Sequence, residues 1–243
     1  MANLVDYIDF SQKSLQGCAL FILFNPLFWN RSTHGLTYAS LVALLPVLVG
    51  FNLPVPLGSN LGILAYCRKP DSFLLVEYRK HYLTRIFGSP YYGCYFLGFV
   101  IFTLGLARDH VYQLALQDQP YYAPVHQPIL GSILFGIGSI LVLTSMYALG
   151  VTGTYLGDYF GILMDAPVTG FPFSVTGSPM YWGSTLNFLG VALYFGKVAG
   201  LLLTAEVFIV YWIALQWEDP FTAEIYAKRE RERAKAKQGG KSL

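Results

Sequence analysis

Two adjacent carboxylates, Glu218 and Asp219, lie where a long apolar run meets a charged tail. The apolar run closes at Trp217, and Pro220 directly follows the pair, which predicts that a helix ends here. A helix C-terminus already carries partial negative charge, so two anions at this position are mildly unfavourable. A bound cation would relieve them, and a charged cap at the edge of the run is the alternative. The pair is therefore a candidate ligand site.

A second candidate is the tripeptide Gly136-Ile137-Gly138, which lies inside another apolar run. A nucleotide-binding glycine loop needs a strand before it and a helix after it, and this run offers neither. Close helix packing is the simpler explanation, because small residues let membrane helices approach. The alternative is that the missing side chains leave room for a flat ligand against the helix.

Asp158 and Tyr181 are candidate general bases. Asp158 lies beside three glycines that recur every four residues, Gly153, Gly157 and Gly161, a spacing that predicts one helical face. An ionisable side chain near membrane depth is a functional candidate by default. Tyr181 stands at the start of a further apolar run.

The three cysteines and four histidines are scattered and show no metal-ligand spacing. The formal net charge is +2. We therefore expect no metal site and no nucleic-acid partner.

Composition indicates which elements must position these side chains. The chain has 243 residues, of which 54% are hydrophobic and 12% are charged. Soluble domains carry about 25% charged residues. We predict an all-α, polytopic integral membrane helix bundle with about 3–5 spans, plus a short N-terminal re-entrant or interfacial helix. The oligomeric state is left open.

Five apolar stretches are the candidate membrane segments: Leu15–Trp29, Leu36–Val55, Tyr91–Ala107, Pro128–Leu149 and Tyr181–Trp217. The first is short, and Asn25-Pro26 predicts a break in it. The last is too long for one upright span, so it is either a hairpin broken at Gly196-Lys197 or one tilted helix. Polar connectors are predicted at Arg108–Gln127 and Met164–Pro179.

Basic residues cluster in two regions, 68–85 and 228–241. Lys and Arg favour the cytoplasmic side of a membrane, so both regions are expected there. An even number of crossings between them is then required, which favours the hairpin.

Several sequence blocks resemble the phospholipid methyltransferase family in its fungal form. The blocks are FNPLFWN (24–30), EYRKHYLTRIFGSPYYGCY (77–95), FTLGLARD (102–109), LVLTSMYALGVTGTYLGDYFGIL (141–163), FPF (171–173), SPMYWGSTLNFLG (178–190) and EDPFTAEIY (218–226). The resemblance covers the first 30 residues and most of the chain after residue 76.

The resemblance implies S-adenosyl-L-methionine-dependent N-methylation of two phospholipids, phosphatidyl-N-methylethanolamine and its N,N-dimethyl form, to phosphatidylcholine. It also implies two motifs for the methyl donor, which fall on Gly136, Ile137 and Gly138 and on Glu218 and Asp219. The family usually has two glutamates at the second motif, so Asp219 is one methylene shorter. The expected location is the endoplasmic reticulum membrane and also the mitochondrial membrane, with the C-terminal tail in the cytosol.

The resemblance divides the chain into four parts: 1–30, an interfacial or re-entrant helix; 31–76, an atypical insertion; 77–226, the methyltransferase core; and 227–243, a basic tail. The insertion matches nothing in the family pattern. It is either an extra membrane segment or intron translated in the gene prediction. We expect the sequenced transcript to lack it, and a transcript that contains it would contradict this expectation.

Two alternatives remain open from the sequence. A non-enzymatic membrane protein or transporter would tend to show internal repeats, and we find none. A prenyl-cysteine carboxyl methyltransferase shares the acidic pair, but its pattern has Arg-His before the proline where this chain has Gly177-Ser178 before Pro179. That difference favours an amine-lipid substrate.

Overall fold

The computed structural model describes residues 4–29, 77–78 and 80–239. Within these ranges the regular elements are helices. They are α1 (Lys13–Trp29), α2 (Tyr82–Phe87), α3 (Pro90–Gln117), α4 (Pro128–Thr154), α5 (Pro179–Phe195) and α6 (Val198–Gly239), with short 3-10 turns at Leu4–Tyr7, Ala123–Val125 and Gly157–Phe160. The insertion 31–76, with its candidate span Leu36–Val55, lies outside the described residues.

Three helical stretches are long and apolar enough to cross a membrane: Pro90–Gln117, Pro128–Phe160 and Val198–Lys235. The predicted membrane bundle is confirmed, and α3 and α4 contain the two predicted spans of that region. Helix α5 has 17 residues. Its length is about 26 Å, slightly less than the roughly 30 Å of hydrocarbon in a bilayer.

The α5–α6 segment is a hairpin, as predicted. Helix α5 ends at Gly196, whose φ of 65° is in the left-handed region that glycine adopts at helix ends. Lys197 anchors the turn by donating from Nζ to the Gln119 carbonyl at 2.5 Å. The turn also meets the α3–α4 connection, where the Tyr122 N–H donates to the Gly196 carbonyl at 2.9 Å.

Helix α1 packs lengthwise on α3 and α6. Leu15, Cys18 and Ile22 are almost fully buried in a core that also holds Leu116 and Leu203. The break expected at Asn25-Pro26 is wrong, because α1 is helical through Trp29. The packed turns before the proline give the helix tertiary support that offsets the hydrogen bond a proline removes.

Helices α4 and α5 meet through glycines. A Cβ atom on Gly183 would lie 2.6 Å from the Gly138 carbonyl oxygen, and one on Gly190 would lie 2.6 Å from that of Gly131. Real side chains cannot occupy such positions, so two glycine pairs bring the two backbones into direct contact.

The prediction that Gly153, Gly157 and Gly161 share one helical face is wrong. Helix α4 ends at Thr154, and Gly161 has a φ of 74° at the end of the following 3-10 turn. These glycines allow the chain to turn rather than line a helix.

The connector predicted to begin at Arg108 is also wrong, because α3 continues to Gln117. Some of its polar residues are paired inside the bundle. One example is the buried Tyr112, whose hydroxyl donates to the Phe188 carbonyl at 2.9 Å.

Candidate functional site

The acidic pair lies inside a helix rather than at its end. Helix α6 continues through Pro220 to Gly239, so the predicted helix stop is wrong, and so is the dipole argument built on it. Glu218 is partly buried, whereas Asp219 is exposed.

Tertiary contacts explain why α6 continues beyond the proline. Ile225 is buried, and the Tyr226 hydroxyl accepts a hydrogen bond from the Met164 N–H at 3.2 Å. Arg229 donates to the Met164 carbonyl at 2.5 Å. These contacts with the connector after α4 hold the helix where Pro220 removes a backbone hydrogen bond.

Tyr181 and Glu218 form the centre of the site. The Tyr181 hydroxyl, in the first turn of α5, donates to Oε2 of Glu218 on α6. A hydrogen bond to a carboxylate is stronger than one between neutral groups. Two candidates that lie 37 residues apart in sequence are therefore joined.

A second tyrosine, Tyr211 of α6, packs against Tyr181. The rings of Tyr181 and Tyr211 pack edge to face with centroids 4.8 Å apart. Arg108 of α3 donates to the Tyr211 hydroxyl oxygen and, at 2.8 Å, to the Asp109 carboxylate. Its guanidinium also lies 4.9 Å from the ring centroid of Phe188.

Arg108 is thus satisfied although its side chain is only 11% exposed. A buried cation with an anion and a phenol as partners is held in one geometry. Sequence reasoning placed Arg108 in a connector and missed it. The available signal was an Arg-Asp pair directly following an apolar run.

The two glycines of the tripeptide have different surroundings. A Cβ atom on Gly138 would collide with the Asn187 side chain and the Gly183 carbonyl, whereas one on Gly136 would meet nothing within 4 Å. Ile137 is exposed. Packing therefore accounts for Gly138, and an open surface remains at Gly136.

The tripeptide connects to the acidic pair through α5. Gly183 contacts Gly138 and lies two residues after Tyr181, which bonds Glu218. One helix therefore links both candidate motifs.

Asp158 lies at the same end of the bundle. It belongs to the 3-10 turn Gly157–Phe160 and is partly buried. The connector that follows this turn contacts α6 beyond the acidic pair, where the Met164 N–H donates to the Tyr226 hydroxyl at 3.2 Å. Asp158 is thus a third carboxylate at this end of the bundle.

Comparisons with known proteins show which proteins the chain is similar to. The family model described as phospholipid methyltransferase matches residues 126–229, a range that contains every site residue predicted from the sequence. No solved structure matches the chain.

Curated relatives match nearly the whole chain. The phosphatidyl-N-methylethanolamine N-methyltransferase of Emericella nidulans is 64% identical over 242 residues, with 100% of each chain covered. The protein of that name from Saccharomyces cerevisiae is 44% identical, covering 94% of this chain and 93% of its own. The phosphatidylethanolamine N-methyltransferase of Homo sapiens is 38% identical, covering 94% and 96%.

Proposed function

Because this chain belongs to the phospholipid methyltransferase family, we propose that it uses S-adenosyl-L-methionine to methylate phosphatidyl-N-methylethanolamine and phosphatidyl-N,N-dimethylethanolamine, which yields phosphatidylcholine. The observation that carries this proposal is the Glu218 carboxylate, held by the Tyr181 hydroxyl on an apolar helix bundle. A fixed anion at that place suits a cationic methyl donor better than a phosphate-bearing ligand.

The residues present fit the donor. S-adenosyl-L-methionine carries a sulfonium and an ammonium group, and it supplies an electrophilic methyl group when bound. Glu218 and Asp219 would hold the positive groups, and the open surface at Gly136 would accept a flat part of the molecule. Gly138 is occupied by its packing on α5, so its role is to bring α4 against the helix that carries Tyr181.

The acceptor amine must be neutral when it attacks the methyl carbon, since only the neutral amine has a free lone pair. An alkylammonium has a pKa of about 10 by analogy with lysine. Apolar surroundings disfavour the cation and so favour the neutral amine.

Tyr181 and Asp158 have different roles in the removal of the proton from the acceptor. The Tyr181 hydroxyl donates a hydrogen bond to Glu218, and its oxygen can accept a hydrogen bond from the N–H of the incoming ammonium group. Asp158 is a carboxylate at the same end of the bundle that can take up, directly or through water, the proton that this ammonium group must lose before its nitrogen attacks the methyl carbon.

The protein is proposed to reside in the endoplasmic reticulum membrane and also in the mitochondrial membrane, with the basic tail in the cytosol. The cluster of Lys and Arg after residue 227 supports this orientation. The names of the relatives favour an amine-lipid substrate over the transporter and prenyl-cysteine alternatives.

The test uses purified full-length protein with methyl-labelled S-adenosyl-L-methionine. Phosphatidylethanolamine and its monomethyl and dimethyl forms are offered separately. We expect label in the products of the last two lipids. Glu218→Gln should lose this transfer, whereas Glu230→Gln, an exposed carboxylate on the same helix, should keep it. Failure of the wild-type protein to label any of the three lipids would reject the function.

A further inference from the structure

Two side chains of α6 beyond the acidic pair hold both backbone polar groups of one connector residue, Met164. Its N–H donates to the Tyr226 hydroxyl at 3.2 Å, and its carbonyl accepts a hydrogen bond from Arg229 Nη1 at 2.5 Å. Continuation of α6 past Pro220 does not by itself require that the donor and the acceptor of the same residue are engaged. This arrangement therefore fixes the connector as well as the helix.

The side chain of Met164 lies against the end of α4. A Cβ atom on Gly153 would lie 3.2 Å from Met164 Sδ. Met164 is thus held between the last turn of α4 and the extension of α6. The chain between Gly153 and Met164 carries Asp158, so this carboxylate lies on a loop that is anchored at both ends.

The loop is closed by its own backbone. The Gly161 N–H donates to the Asp158 carbonyl at 3.2 Å, and the Ile162 N–H donates to the Gly157 carbonyl at 3.0 Å. One residue separates Ile162 from Met164. A displacement of Met164 would therefore move the turn that carries Asp158.

Helix α3 supports the loop from another side. A Cβ atom on Gly98 would lie 3.0 Å from the ring of Tyr155, and one on Gly93 would lie 3.0 Å from the ring of Phe160. These two rings pack the loop against α3, whereas the contacts of Met164 tie it to α6.

Helix α6 carries Glu218 and Arg229 on one face. The two residues are eleven positions apart, which is about three turns and about 16 Å along a helix. Arg229 draws the connector onto this face through the Met164 carbonyl. One helix therefore carries the acidic pair and also anchors the loop of Asp158.

The ion pairs nearby are weaker supports. The Asp165 carboxylate lies 3.4 Å from Arg229 Nη2 and 3.7 Å from Arg233 Nη2, and its side chain is 100% exposed. Ion pairs in contact with solvent contribute little to stability. The backbone contacts of Met164 are accordingly the ones that fix the loop.

We propose that Arg229 and Tyr226 are positioning residues for Asp158, which they hold within reach of the acceptor amine by fixing Met164. This inference rests on the proposed function, in which Asp158 takes up the proton of the acceptor. A proton acceptor must lie within hydrogen-bond distance of the proton, directly or through one water. A displaced loop should therefore slow the removal of the proton without weakening the binding of the methyl donor.

The first test compares Arg229→Ala with Arg231→Ala, a control that removes the same charge from an exposed position of α6. At about pH 7 in mixed micelles, Arg229→Ala should lower kcat/KM for phosphatidyl-N-methylethanolamine about tenfold, with the KM for the donor unchanged. Arg229→Lys should recover part of the loss, because an ammonium group can still donate to the Met164 carbonyl. The control should keep the wild-type value.

The pH dependence separates positioning from a merely structural role. The kcat/KM of the wild type should change little from about pH 7 to about pH 9, because Asp158 removes the proton. That of Arg229→Ala should rise by up to about tenfold per pH unit, because it depends on neutral amine from an ammonium group whose pKa is about 10. A loss by the same factor at every pH would overturn the inference.

A double-variant cycle tests whether Arg229 acts through Asp158. The variant that combines Asp158→Asn with Arg229→Ala should be about as slow as Asp158→Asn alone, whereas multiplied losses would contradict the proposal. If the wild type methylates no lipid, the proposed function fails. If the wild type is active and Asp158→Asn keeps its rate, the inference alone is overturned.

A second variant keeps the test valid if Arg229→Ala does not fold, which binding of the labelled donor shows. Tyr226→Phe removes only the hydroxyl that accepts from the Met164 N–H. It should show the same rise of kcat/KM with pH, and a profile as flat as that of the wild type would contradict the proposal.

Discussion

The two faces of helix α5 carry different residues and have different roles. Its α4 face has glycines at the crossing points, and backbone meets backbone at the Gly138–Gly183 and Gly131–Gly190 pairs. Its α6 face has aromatic and polar side chains, among them the Tyr181 hydroxyl bound to Glu218. The first face fixes the position of the helix, and the second leaves side chains available for ligands.

The difference shows how a membrane enzyme can hold a precise site without a hydrophobic driving force between its helices. Close backbone packing supplies rigidity through van der Waals contact. The polar side chains on the other face are then held in place by a rigid scaffold, which a catalytic geometry requires. Substitutions on the two faces should accordingly produce different kinds of damage.

The largest effect is expected at the glycine face. Gly183→Leu should separate α4 from α5 and destabilise the protein by about 3 kcal/mol or more, because no space exists for its side chain. Thermal unfolding in detergent, followed by tryptophan fluorescence, measures this. Gly136→Ala is the control, since its Cβ meets no atom within 4 Å, and equal midpoints for the two variants would show that the glycine contacts do not hold α4 against α5.

Gly136→Leu tests whether the open surface on α4 binds the donor. The protein should fold, because the surroundings of Gly136 are open, and it should bind S-adenosyl-L-methionine at least about tenfold more weakly because the side chain covers that surface. Equilibrium binding of the labelled donor is the measurement. A folded variant with normal affinity would remove the tripeptide from the site.

A smaller loss of stability is expected at Tyr211, the α6 residue that packs against Tyr181. Tyr211→Phe removes a partner of the buried Arg108 and should cost about 1–3 kcal/mol of stability. Tyr147→Phe, at a tyrosine that is exposed on α4, serves as the control and should leave the unfolding midpoint unchanged. A midpoint for Tyr211→Phe equal to that of the control would mean that Arg108 does not support this face.

The sequence predicted the helical class and the hairpin because both follow from local properties. Apolar length predicts spans, and Gly196 ends a helix through its own backbone conformation. The candidate residues Tyr181 and Glu218 were also identified, but their pairing was not. A contact between residues 37 apart depends on how α5 and α6 pack, which no local pattern encodes.

The errors arose where tertiary contacts override a local rule. Pro220 predicts a helix end, yet the bonds from Met164 and Arg229 keep α6 helical beyond it. The charge of Arg108 predicts a loop, yet α3 continues through it because the Tyr211 hydroxyl and the Asp109 carboxylate accept hydrogen bonds from its guanidinium group. Both incorrect predictions concern residues next to the candidate site, where polar side chains need partners from helices that are distant in sequence.

Glu218 and Asp219 are proposed to hold the methyl donor, and equilibrium binding of labelled S-adenosyl-L-methionine to purified variants tests this role. Glu218→Gln should weaken binding about tenfold or more, because it removes a charge fixed by Tyr181. The exposed Asp219→Asn should have a smaller effect, and the double variant should bind most weakly while its unfolding midpoint stays unchanged. Wild-type affinity in the folded double variant would contradict the account.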